Sequence, residues 1–326
     1  MLLTALSTSP ATAFDTHRAE VSQFIEHMHE KYGFDKSELR HLLKNANSQP
    51  MIIAAMDRPA EKAKPWHEYR SIFLTEKRIA AGREFWIAHV KELNDASLRT
   101  GVAPEYIVAI LGVETFYGRL MGNFRVLDAL ATLGFDYPAR SKFFLDELEQ
   151  FLLLTRETLI DPRTALGSYA GAMGAPQFMP SNYRKFSVDA MTDGHIDLWK
   201  NWPDVFASVG NYFKEHGWIS GQPVLSEASL NLYKPGELDG RQLAFTQTIG
   251  DLKALGVTFD TNLPAEAPAM LIAADEADTI RWRVGYQNFY TITRYNHSAL
   301  YAMAVFELAN TIKQRVAPLL QAEIGP

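Results

Sequence analysis

The sequence predicts a mainly α protein with a small β-rich insertion, and three observations lead there. Apolar residues recur at helical spacing through most of the first two-thirds of the chain and again from residue 298. Between 222 and 285 the apolar segments shorten and are separated by Pro-Gly, Asp-Gly and similar turn signals. The whole is 47% hydrophobic and 21% charged, the balance of an ordinary globular protein.

At 326 residues the chain can bury a substantial core, and its length suggests two or three domains. A net charge of -6 argues against nucleic acid as a partner. No run of apolar residues is long enough to span a membrane. The chain has no cysteine, which removes disulfides, thiol catalysis, thiolate zinc sites and a lipidated cysteine. Residues 1–13 are small and apolar and end Ala11-Thr12-Ala13, the shape of a signal-peptidase site, so they read as the remnant of an export signal. The competing reading is a disordered tail.

Taken in order, Val21, Phe24, Ile25 and Met28 mark the apolar face of a first helix. His27 and His29 are two apart, so on a helix they do not share a face and do not form a metal pair. Asp35 with Glu38 forms a capping-box pattern that opens a helix through Leu39, Leu42 and Leu43. Pro50, Pro59 and Pro65 interrupt the next part, and one helix is expected over 75–93. A further helix is expected over 104–120, with Pro104 at its first position and Ile107, Val108, Ile110, Leu111 and Val113 leaving almost no polar face. Glu114 sits in the middle of that apolar helix. A buried carboxylate there is desolvated and becomes a candidate acid with a raised pKa, or else is held by an unseen donor. Phe135-Asp136-Tyr137-Pro138 signals a turn before an apolar helix over 141–156.

Residues 167–180 are glycine-rich and allow close backbone approach, but no Lys-Ser/Thr follows, so this is not a phosphate loop. The stretch 189–204 partly fits a calcium loop: Asp189, Asp193 and Asp197 stand at acceptable positions, but Met191 cannot ligate and Lys200 stands where a bidentate Glu belongs. Only a longer loop closing on Asp204 would complete it. In the β-rich insertion Ile280, Trp282 and Val284 alternate with Arg281 and Arg283, which predicts a strand with one buried face. Helix resumes over 298–316.

Together these pieces resemble the membrane-bound lytic murein transglycosylase B family. The resemblance rests on Gly112-Val113-Glu114-Thr115-x-x-Gly118-Arg119, Ser168-x-Ala170-Gly171-Ala172-Met173-Gly174-x-x-Gln177-Phe178-Met179-Pro180 and Asp193-Gly194-His195-Ile196. Asn211-Tyr212-Phe213 and Asn288-Phe289-Tyr290-x-Ile292-Thr293-Arg294-Tyr295-Asn296 add to it, and the match covers roughly residues 20–315. It implies a lysozyme-like helical core over 96–220. It adds an α domain over 14–95, joined by the C-terminal helix 296–326, and a small β domain over 221–295.

The implied activity is cleavage of the β-1,4 bond between N-acetylmuramic acid and N-acetylglucosamine in peptidoglycan, leaving a 1,6-anhydromuramyl end. Glu114 would be acid and then base, with the substrate's N-acetyl group replacing a protein nucleophile. The resemblance implies that Ser168 and Gln177 bond the acid or the sugar, that Tyr212 steadies the intermediate, and that Tyr69 lines the glycan groove. Phe178, Tyr290 and Tyr295 are candidate groove or stacking residues. Arg140 would meet the peptide stem, although Ala139 replaces the first of the family's two arginines. Asp189, Asp193, His195 and Asp204 are the candidate ligands of a structural Ca2+, and catalysis itself would require no cofactor.

The implied partners are peptidoglycan glycan strands, with cell-wall synthesis or hydrolysis complexes as further candidates. Without a cysteine to lipidate, the expectation is a soluble periplasmic protein. The rivals are a hydrolytic muramidase on the same fold, with Asp136 as its second carboxylate, and a non-catalytic peptidoglycan-binding or scaffold protein.

Overall fold

The computed structural model describes residues 12–57, 64–230, 238 and 240–324. Most of the export-signal reading, residues 1–11, lies outside them. The helices in chain order are α1 (Ala19–Tyr32), α2 (Lys36–Lys44), α3 (Pro50–Met56), α4 (Trp66–Phe73), α5 (Glu76–Ala88), α6 (Val90–Thr100) and α7 (Pro104–Thr115). They continue with α8 (Val126–Asp136), α9 (Ser141–Glu157), α10 (Pro180–Phe186), α11 (Trp202–Glu215), α12 (Ile249–Ala254), α13 (Gln287–Tyr295) and α14 (Ala299–Ile324). Short strands are β1 (Thr12–Ala13), β2 (Asn47–Ser48), β3 (Phe124–Arg125) and β4 (Leu166–Gly167). Longer pairing comes from β5 (Leu225–Leu230), β6 (Gln247–Thr248), β7 (Val257–Phe259), β8 (Pro268–Asp275) and β9 (Ile280–Gly285). The chain forms two compact units, 1–60 with 118–201 and 61–117 with 202–326.

In the first unit α8 is buried along nearly its whole length and packs on α9 and α3. Its buried Asp128 is held by a bidentate bond from Arg125 and accepts the Asn47 amide at 3.0 Å. That pins β2, which pairs antiparallel with β1. Such a carboxylate is tolerated in a core because its oxygens are met by donors. Asp35 caps α2, accepting the amides of Ser37 at 2.8 Å and Glu38 at 2.9 Å, as the capping pattern predicts.

In the second unit α7 is the buried helix, and α14, α5, α6 and α11 pack around it. The five-stranded sheet has the order β6-β8-β9-β5-β7, with every neighbouring pair antiparallel. Two helices differ from expectation. The helix over 75–93 is two, because His89 leaves helical geometry and its ring packs among Phe85, Trp202 and Phe206. The helix over 104–120 stops at Thr115. In β9 the alternation is also broken: Arg283, expected to face solvent, is 1% exposed, packs over the Trp66 ring and pairs with Glu307 of α14. A charge can be buried there because a carboxylate and an aromatic face meet it.

Candidate active site

Glu114 lies one residue before the end of α7, and the chain turns sharply after it. Phe116, Tyr117 and Gly118 follow one another with φ of 50°, 60° and 78°. Left-handed geometry is unfavourable for residues with a Cβ, so two in succession must be held by their surroundings. The Phe116 and Tyr117 amides both reach back to the Leu111 carbonyl, the second at 2.9 Å, and so close the helix end. The Tyr117 hydroxyl donates to the Arg78 carbonyl at 3.0 Å. Its ring fits only because Gly82 and Gly112 are bare: a Cβ on either would stand 2.4 Å and 2.7 Å from the phenol oxygen. The glycine of Gly-Val-Glu-Thr therefore seats the tyrosine that ends the helix. Glu114 is half-buried, so the expectation of a fully buried carboxylate is corrected: the early helix end opens one side of it.

The Glu114 carboxylate accepts a 2.5 Å hydrogen bond from the Tyr301 hydroxyl of α14. Burial, and then the Glu114 charge, push the Tyr301 phenol well above its ordinary value, so it remains the donor. The Tyr295 phenol is raised by the same causes. Tyr69, on α4 and 2% exposed, lies within electrostatic reach of Tyr301 and packs on Phe73. Tyr212 packs edge-on against Tyr295 at 4.8 Å and stacks on His216 at 4.0 Å. Its hydroxyl donates to the Arg294 carbonyl at 2.7 Å, and burial pushes its pKa up to about 12. Tyr290 lies between Phe245 and the Arg294 guanidinium, 4.0 Å above its ring. All these groups belong to the second unit.

The remaining expected residues belong to the first. Ser168 Oγ accepts the Ala172 amide at 3.1 Å, closing the glycine-rich turn. Gln177 has φ of 53°, and its side-chain amide donates to Met121 at 3.1 Å and Gly174 at 2.9 Å. Both thus shape their loop. Phe178 is 1% exposed, and its backbone bridges to Met173. It is a core residue and not the stacking surface expected, since a ring without exposed face cannot meet a sugar. Arg140 is exposed, with its guanidinium over Phe143 and Phe144. Asp136 spends its two oxygens on Arg18 at 2.6 Å and Ser48 at 2.7 Å.

The expected calcium ligands are placed as follows. Among the described residues no group of three or more His, Asp or Glu side chains could hold an ion. Asp189 instead accepts the amides of Asp193 and Gly194, and Asp193 accepts that of His195. Burial raises the Asp189 carboxyl, but these amides together with those of Met191 and Thr192 outweigh it and hold it below the usual range. Asp204 is fully buried in α11 of the other unit.

Sequence reading missed Tyr301, whose hydroxyl arrives from 187 residues away. Its one signal was a phenol on the apolar C-terminal helix, which reads as core.

The transglycosylase SLT domain family model matches residues 16–310. The chain is 43% identical over 299 residues to Escherichia coli membrane-bound lytic murein transglycosylase B, covering 89% of this chain and 81% of that protein. The soluble lytic transglycosylase SltB1 of Pseudomonas aeruginosa superposes with a TM-score of 0.87 at 45% identity, covering 91% and 99% of the two chains. The Escherichia coli lytic transglycosylase Slt35, solved in complex with calcium, gives 0.85 at 41%, covering 94% and 97%. Among the described residues no helix is long and apolar enough to cross a membrane. On the family match and these identities, the chain belongs to the transglycosylase SLT-domain family, alongside the lytic murein transglycosylases it is similar to.

Proposed function

We propose that the protein is a lytic transglycosylase of peptidoglycan, with Glu114 as its single acid and base. The observation that carries this reading is the half-buried Glu114 carboxylate, held at 2.5 Å by Tyr301 among further tyrosines. A carboxyl half-exposed at a helix end and held by a neutral phenol is placed to exchange a proton with a bound sugar. Glu114 gives its proton to the glycosidic oxygen as the bond to the muramic acid anomeric carbon breaks. The N-acetyl carbonyl oxygen of the same sugar bonds that carbon, so no protein nucleophile is needed. The C6 hydroxyl oxygen then attacks the carbon, the bond to the N-acetyl oxygen breaks, and the hydroxyl proton returns to Glu114. No water is consumed and a 1,6-anhydromuramyl end remains.

The phenols support the positive intermediate by orienting oxygen dipoles near it. Ser168 and Gln177 keep the sugar-binding role implied by their motif, and Arg140 a peptide-stem role. A murein substrate makes the periplasm the site of action. The hydrolytic rival needs a second free carboxylate, whereas Asp136 is committed to Arg18 and Ser48. The test is mass spectrometry of fragments released from purified sacculi by the protein and by Glu114→Gln. Fragments lighter than hydrolysis products by one water should appear, and should vanish with Glu114→Gln. Reducing-end fragments would overturn the reading in favour of a hydrolase, and no fragments in favour of a binding protein.

A further inference from the structure

One cation beside the tyrosines of Glu114 has no counter-charge among the described residues. Arg294 closes α13 and is half-buried, and among the described residues no carboxylate pairs with it. Its Nε is buried with no hydrogen-bond partner. The guanidinium is nonetheless fixed: it lies 4.0 Å over the Tyr290 ring, and one Nη donates to the Thr293 hydroxyl at 2.9 Å. Thr293 in turn donates to the Tyr290 carbonyl at 2.6 Å. The cation's field reaches Tyr212 and His297: burial, and then this charge, hold the His297 imidazole below its ordinary value. With Nε buried, the Nη groups of this stacked, half-buried guanidinium are the donors that suit a carboxylate. A helix C-terminus favours a cation at its last turn, but that alone does not explain a buried donor left unmet.

We propose that Arg294 binds a carboxylate of the substrate, making it a specificity-determining residue. This rests on the peptidoglycan reading above. In that substrate a carboxylate can come from the peptide stem or, where the stem is removed, from the lactyl group of muramic acid. Either lies on the sugar whose anomeric carbon Glu114 would serve.

Three strand preparations separate the sources: strands bearing stems, strands stripped by an amidase, and stripped strands with the lactyl group amidated. Their dissociation constants are measured on Glu114→Gln protein, with and without Arg294→Gln, so that turnover plays no part. The removal of a charge-assisted bond should weaken binding of carboxylate-bearing strands by roughly tenfold or more. Amidated strands should bind both proteins alike, and Arg294→Lys should keep part of the affinity. A loss on stem-bearing strands alone assigns the stem carboxylate, and a loss on stripped strands also assigns the lactyl group. Equal losses on all three strands, or none, overturn the proposal. Failure of the wild-type protein to release anhydromuramyl ends would instead overturn the activity reading, and the binding ratios would still decide Arg294.

Discussion

Tyr301 and Glu114 illustrate what one hydrogen bond can do at the carboxyl proposed to react. A donor favours the ionised carboxylate, so its loss favours the protonated acid. Tyr301→Phe should therefore move the basic limb of the pH-rate profile upward while kcat falls roughly tenfold, the worth of a hydrogen bond to a charged group. A lowered kcat with an unmoved profile would reduce Tyr301 to a packing role. Glu114 as a candidate was legible in the sequence, because a lone carboxylate stands out in an apolar helix. The exposure of that carboxylate was not legible, since it depends on where α7 stops. Phe178 fails for the opposite reason: an aromatic in a glycine-rich motif reads the same whether its ring faces a groove or the core.

At the scale of the element, α7 ends through a tyrosine seated on glycines. Gly112→Ala sets two effects against each other. Helix propensity favours alanine by about 1 kcal/mol. The new Cβ would stand 2.7–2.8 Å from three atoms of the Tyr117 phenol, and such overpacking costs about 1–3 kcal/mol. Gly112→Ala should thus lower the denaturation midpoint, and activity more than stability, because the left-handed turn beside Glu114 is displaced. A gain in stability would mean that Tyr117 can move away freely. The helices were legible from their apolar spacing, which is local. The break at His89 was not, because its cause is the aromatic ring contact with Trp202 and Phe206 of a distant helix. The 189–204 loop shows the same limit: spacing along the chain does not reveal that Asp189 accepts the backbone amides of Asp193 and Gly194 or that Asp204 is buried in α11.

At the scale of the whole molecule, each unit is secured by charges met across long sequence distances. In the first, Glu149 of α9 accepts from Tyr32 at 2.5 Å, His27 at 2.6 Å and Lys31 at 3.3 Å, all on α1. Burial raises the Glu149 carboxyl, but these donors outweigh it and hold it below the ordinary range. A depressed carboxyl stabilises the fold above the unfolded-chain value, near pH 4.3, and that stability is lost as pH falls through the lower folded value. Glu149→Gln should cost about 1.5–3 kcal/mol at neutral pH, and denaturant titrations should show the difference shrinking in acid. A constant difference down to pH 3 would point to packing alone. Through periodicity and motif, the sequence by itself determined the helical class, the β-rich insertion, the family and Glu114, because these are written in neighbouring residues. Only the tertiary structure decided that Tyr301 meets Glu114, that Arg283 is buried over Trp66, and that no carboxylate among the described residues pairs with Arg294. Tyr301 and Trp66 arrive from more than a hundred residues away, and spacing along the chain carries no record of that.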